Sequence, residues 1–68
     1  MMQIKIRWRD LGSPTQPGEY RYGLDMVLVT VGDIELAKGN PDAVFTAIHP
    51  DFYSGKPYIL TCVEFPSE

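Results

Sequence analysis

Apolar and polar positions alternate most cleanly from Gln3 to Arg9, where Ile4, Ile6 and Trp8 interleave with Lys5, Arg7 and Arg9. A period of two predicts a strand with one apolar and one basic face. Asp10 to Gly18 breaks the pattern with Gly12, Ser13, Pro14, Pro17 and Gly18, so it reads as a loop, and Pro17-Gly18 suits a tight turn. Glu19 to Tyr22 is a short extended piece. Gly23 marks a bend or bulge before the densest apolar run, Leu24, Met26, Val27, Leu28 and Val29, which suits a strand buried on both faces.

The stretch after that run carries the best start and stop signals. The Thr30 hydroxyl can accept from the Asp33 N–H, and Asp33 sits at the reciprocal capping position. Val29 and Ile34 occupy the two hydrophobic-staple positions. Ile34, Glu35, Leu36, Ala37 and Lys38 include strong helix formers, Gly39 can adopt the left-handed conformation that closes a helix, and Pro41 prevents continuation. These signals predict a helix over Val31–Lys38. Val31, Ile34 and Ala37 share its face, while Leu36 points away. The rival reading is a hairpin with Gly32-Asp33 as a type II′ turn, which would set Val31 opposite Ile34 and Val29 opposite Leu36.

Asp42 to His49 contains Val44, Phe45, Thr46 and Ile48, which favour a strand. Asn40 could instead cap a helix through Ala43, Val44, Ala47 and Ile48. The strand is preferred, because Pro41 already serves as a stop. Asp51 to Lys56 is a loop and Pro57 to Phe65 a strand that pairs with the Asp42–His49 segment as a hairpin. The implied fold class is α+β: a small, mostly antiparallel sheet of about four strands with the Val31–Lys38 helix packed on one face. With a central hairpin, the same pieces make a small five-stranded, barrel-like fold.

The chain has 68 residues, which suits a single small globular domain spanning 1–68. An apolar fraction of 44% argues against disorder, and a net charge of −3 argues against polyanion binding by overall electrostatics. One cysteine, Cys62, permits no internal disulfide and suits a reducing, cytoplasmic setting. The first ten residues alternate rather than forming the apolar core of a signal peptide, and no apolar run approaches the ~20 residues of a membrane helix.

Candidate chemistry is sparse. His49, Asp51 and Cys62 are the residue types of a thiol hydrolase, yet nothing in their spacing requires them to meet, and a Cys within an apolar strand usually serves as filler. No paired metal-ligand spacing occurs. Ser54-Gly55-Lys56 lacks the glycine-rich lead-in of a phosphate loop, and Pro57 follows it. No catalytic residue, cofactor or metal is therefore expected.

Two surfaces remain. Lys5, Arg7, Arg9 and Arg21, with Trp8, Tyr20 and Tyr22 among them, have the composition of a single-stranded nucleic-acid platform. A solvated strand face explains the same cations, and alternation puts Trp8 on the apolar side. The last strand carries Ile59, Thr61, Val63 and Phe65 on one face and Tyr58, Leu60, Cys62 and Glu64 on the other, so both faces need cover. One short helix covers only one. Tyr58 and Leu60, with the loop aromatics Phe52 and Tyr53, are thus candidates for contact with a protein partner or with a second copy in a homodimer. The leading expectation is a non-catalytic interaction or assembly module, and the alternative is nucleic-acid binding through Lys5, Arg7, Arg9 and Arg21.

Overall fold

In a computed structural model of the chain, residues 2–49 and 56–66 are described. Five strands and one helix follow in the order β1 (Met2–Arg7), a 3-10 turn (Trp8–Leu11), β2 (Gly18–Tyr22), β3 (Asp25–Val29), α1 (Val31–Ala37), β4 (Val44–His49) and β5 (Tyr58–Glu64). The strands form one sheet in the order β1-β4-β5-β3-β2. Every neighbouring pair is antiparallel except β3 and β5, which run parallel. The sheet curls into a half-barrel, so the fold is α+β with the barrel-like character of the alternative reading.

The first strand stops two residues before Arg9. Trp8 enters a 3-10 turn whose first N–H groups bond to the segment just before β4, Trp8 N–H to Ala43 C=O at 2.8 Å and Arg9 N–H to Pro41 C=O at 3.0 Å. That turn brings both Trp8 and Leu11 into the core, a placement that straight alternation over three residues would forbid. Gly12 closes the turn at φ +84°, where its N–H reaches Arg9 C=O at 3.0 Å.

The extended piece and the apolar run that follows it make a β-hairpin, β2–β3, in register Tyr22↔Asp25. Its turn is Gly23-Leu24. Gly23 has φ +64° and Leu24 a negative φ, the signs of a type II′ turn. Leu24 is therefore not a strand residue but the tip of the hairpin, 99% exposed. Local periodicity placed it in the strand because it cannot distinguish a leucine at a turn from one beside it.

The helix forms through the capping box. Thr30 Oγ1 accepts from Asp33 N–H at 3.2 Å, and Asp33 Oδ2 accepts from Thr30 N–H at 3.0 Å. The helix ends one residue earlier than Lys38, because Lys38 itself takes the left-handed conformation at φ +54° ahead of Gly39 at +69°. A left-handed conformation at a residue with a Cβ costs about 1–2 kcal/mol. Only Ala37 and half-buried Ile34 join the core, and Val31 is exposed, so the shared face of the helix is narrower than its spacing implied. Asn40 is used in a turn, accepting from Asp42 N–H through Oδ1 at 2.9 Å and from Ala43 N–H through its carbonyl at 3.1 Å. The chain accordingly enters β4 as a strand rather than a second helix.

The core lies in the concavity of the sheet. Ile6, Trp8, Val27, Val29, Phe45 and Ala47 are almost wholly buried there, with Trp8 and Phe45 tilted against each other at 5.1 Å between ring centres. Tyr58 and Leu60 of β5 belong to this same core, at 4% and 7% exposure. They are therefore covered by their own chain and offer no docking surface, contrary to the expectation that the Leu60 side of the strand needs another molecule.

A β-bulge explains the difference. The β4–β5 register runs Phe45↔Val63 and Thr46↔Cys62, then jumps to Ala47↔Leu60, which leaves Thr61 unpaired. An extra residue reverses which side chains face inward beyond it. Tyr58 and Leu60 point into the core, and past the bulge so does Val63, while Cys62 turns outward and is exposed. The Thr61 hydroxyl anchors the bulge by donating to Thr46 C=O at 3.1 Å.

Candidate interaction surfaces

The strand registers place the paired side chains of the five strands on either the concave or the convex face of the sheet. Across all five strands one convex row reads Gln3, Ile48, Ile59, Leu28, Glu19. Met26 lies beside Leu28 on the same face, two residues earlier in β3. The middle of the convex face is thus apolar. Ile59 is 43% exposed and Leu28, Ile48 and Met26 are half-buried, with the only described helix on the other side. β5 is the central strand, so Ile59 stands near the middle of the face.

Charged residues ring this apolar centre. Lys5 and Arg7 project from β1 at one edge, and Glu19 and Arg21 from β2 at the other. Lys5 Nζ donates to Thr46 Oγ1 at 3.0 Å and lies 3.7 Å from Glu64 Oε1. Both partners of that ion pair are largely solvated, so it contributes little to stability.

The four basic residues proposed for nucleic acid are only partly brought together. Lys5, Arg7 and Arg21 share the convex face but sit at opposite edges of the sheet. Arg9 leaves the face with the 3-10 turn and pairs with Asp42. The aromatics segregate from the cations: Trp8 is in the core, and Tyr20 and Tyr22 pack against it from the concave side. A stacking platform needs bases and cations served by one surface, and here the two residue types lie on opposite faces.

The thiol-hydrolase constituents separate in the same way. His49 is buried on the concave side, edge-on to Tyr58 at 5.0 Å between ring centres, while Cys62 is exposed on the convex side. A nucleophile and its base must come within hydrogen-bond reach, and the sheet lies between these two. Asp51, Phe52, Tyr53, Ser54 and Gly55 lie outside the described residues. Among the described residues no group of three His, Cys, Asp or Glu side chains is arranged to hold a metal ion, and no helix is long and apolar enough to cross a membrane.

The apolar centre was not legible residue by residue. Ile59 could be placed on an apolar strand face, but Leu28 joins it only through the parallel β3–β5 contact, which no local signal specifies. Comparison of the chain with protein-family models, with curated proteins and with solved structures finds no match.

Proposed function

We propose that the protein is a non-catalytic interaction or assembly module that docks a protein partner on the convex face of its sheet. The carrying observation is the apolar patch of Met26, Leu28, Ile48 and Ile59, centred on the strand farthest from both edges and ringed by charged side chains. An apolar centre with a polar rim is the usual anatomy of a protein interface. Separation of His49 from Cys62 supports a role without catalysis. The exposed thiol of Cys62 suits a reducing compartment, and the cytoplasm fits it. Nucleic-acid contact is the second reading, supported by Lys5, Arg7 and Arg21 sharing the convex face.

The test is affinity capture from the native host with the wild-type chain and with Ile59→Lys. Ile59 is solvent-facing, so the variant keeps its fold, whereas Leu60→Lys buries an ammonium in the core and unfolds the domain. A protein retained by the wild type and lost with Ile59→Lys supports the reading. Retention of the same protein by both chains overturns docking through this face.

A further inference from the structure

The two edges of the sheet differ in whether they can pair with themselves. β1 and β2 each have only one neighbour in the sheet. On β1 the convex-face residues Lys5 and Arg7 are basic, beside the neutral Gln3. Two-fold pairing about Ile6 sets Lys5 opposite Arg7, and pairing about Lys5 sets Lys5 opposite itself, which like charges disfavour. The Arg7 N–H is moreover already accepted by Asp10 Oδ2 at 3.3 Å. That edge is defended against pairing in the way natural edge strands are.

β2 has the opposite character. Tyr22 and Asp25 close a two-residue hairpin turn, so theirs is a hydrogen-bonded pair. Hydrogen-bonded and non-hydrogen-bonded pairs alternate along an antiparallel ladder. Tyr20 and Gly18 therefore also bond inward to β3, and the N–H and C=O groups of Glu19 and Arg21 point out of the sheet. None of the backbone hydrogen bonds outside the ladders among the described residues engages Gly18–Tyr22. The open edge thus offers two donors and two acceptors, on a pair of residues of opposite charge.

We propose that β2 pairs antiparallel with β2 of a second copy of this chain, about a two-fold axis through Tyr20. Glu19 then stands opposite the partner's Arg21, and Arg21 opposite the partner's Glu19. Each of those pairs exchanges two backbone hydrogen bonds and aligns opposite charges on the convex face. On the concave face Tyr22 lies across from the partner's Gly18, where an aromatic ring covers the gap that glycine leaves in an edge strand. The competing two-fold registers place the axis at Glu19 or at Arg21 and set like charges opposite each other, so the charge order of the strand itself selects the register. The result is one sheet continuous across two copies, closed by symmetry.

This inference names a partner for the assembly reading but uses the sheet edge rather than the convex apolar patch, and it stands if docking on that patch fails. The experiment is sedimentation velocity on the full chain from about 5 to 500 μM, with Glu19→Arg, Arg21→Glu and the double exchange, each checked for its fold by circular dichroism. Both substituted positions are exposed and outside the core. The wild type dimerises. Each single variant sets like charges opposite each other at both pairs and weakens the dimer by on the order of tenfold or more. The double exchange restores the dimer, and so does an equimolar mixture of the two single variants, in which every Arg meets a Glu. Ile59→Lys leaves the dimer unchanged, which separates this surface from the docking face. A wild type that stays monomeric at 500 μM, a dimer indifferent to Glu19→Arg, or open-ended growth through β1 overturns the proposal.

Discussion

Val63→Ala and Cys62→Ala, adjacent substitutions on β5, read the bulge directly. Unbroken alternation would put Cys62 beside Leu60 in the core and Val63 in solvent. The bulge at Thr61 reverses the two: Val63 packs on the core opposite Phe45, and the Cys62 thiol is exposed. Val63→Ala removes two methyl groups, about 1.6 kcal/mol if fully buried at roughly 0.8 kcal/mol per carbon, hence about 1 kcal/mol for a half-buried side chain. Cys62→Ala, at the surface, stays within about 0.5 kcal/mol. At 0.05–0.15 kcal/mol per residue a domain of this size is stable by roughly 3–10 kcal/mol, so a loss near 1 kcal/mol is easily measured. With a urea slope of about 1 kcal/mol/M, the midpoint for Val63→Ala falls by about 1 M, and that for Cys62→Ala hardly moves. Thiol labelling supplies an independent reading. An exposed Cys62 reacts with an aromatic disulfide nearly as fast in the folded chain as in urea, whereas a core thiol would wait for opening and react at least about 100-fold more slowly. A silent Val63→Ala together with a protected thiol would refute the bulge, and with it the account of why Leu60 needs no partner.

Thr30→Ala removes the acceptor for Asp33 N–H and costs on the order of 0.5–2 kcal/mol by urea denaturation, while Cα shifts of the wild type are helical over Val31–Ala37; strand-type shifts on either side of Gly32-Asp33 would contradict the helix. Single-stranded oligonucleotides bind no tighter than non-specifically at physiological salt, because Arg9 is paired with Asp42 and the aromatics face away from the cations. A sub-micromolar complex that weakens steeply with salt and disappears on changing Arg7 and Arg21 to Glu would instead favour the nucleic-acid reading.

Of the candidate sites, the sequence carried the pieces but not their grouping. Alternation put Trp8 on the apolar side and Lys5, Arg7 and Arg9 on the other, and the structure agrees for each except Arg9, which the 3-10 turn removes. Tyr58 and Leu60 were legible as an apolar face of β5 but not as core, because that depends on what the chain folds over them. The apolar patch gathers Leu28, Ile48 and Ile59 from three strands, and its existence depends on their order in the sheet.

What sequence alone determined is local. The Thr30–Asp33 capping box, the short helix, the strand after Asn40, the hairpin of the last two strands and the inward Trp8 all follow from interactions within a few residues or from a two-residue period, and these act wherever the segment lies. Tertiary structure decided what depends on distant neighbours. Thr61 bulges because β5 must keep both Leu60 and Val63 on Ala47 and Phe45 of the strand beside it. Leu24 becomes a hairpin tip because Tyr22 and Asp25 are in register. β3 meets β5 in parallel although Leu28 and its register partner Ile59 lie 31 positions apart in the sequence, and only closure of the half-barrel core brings them together. Burial on a curled sheet is a property of the closed surface, so which apolar side chains remain outside is settled only once every strand has its place.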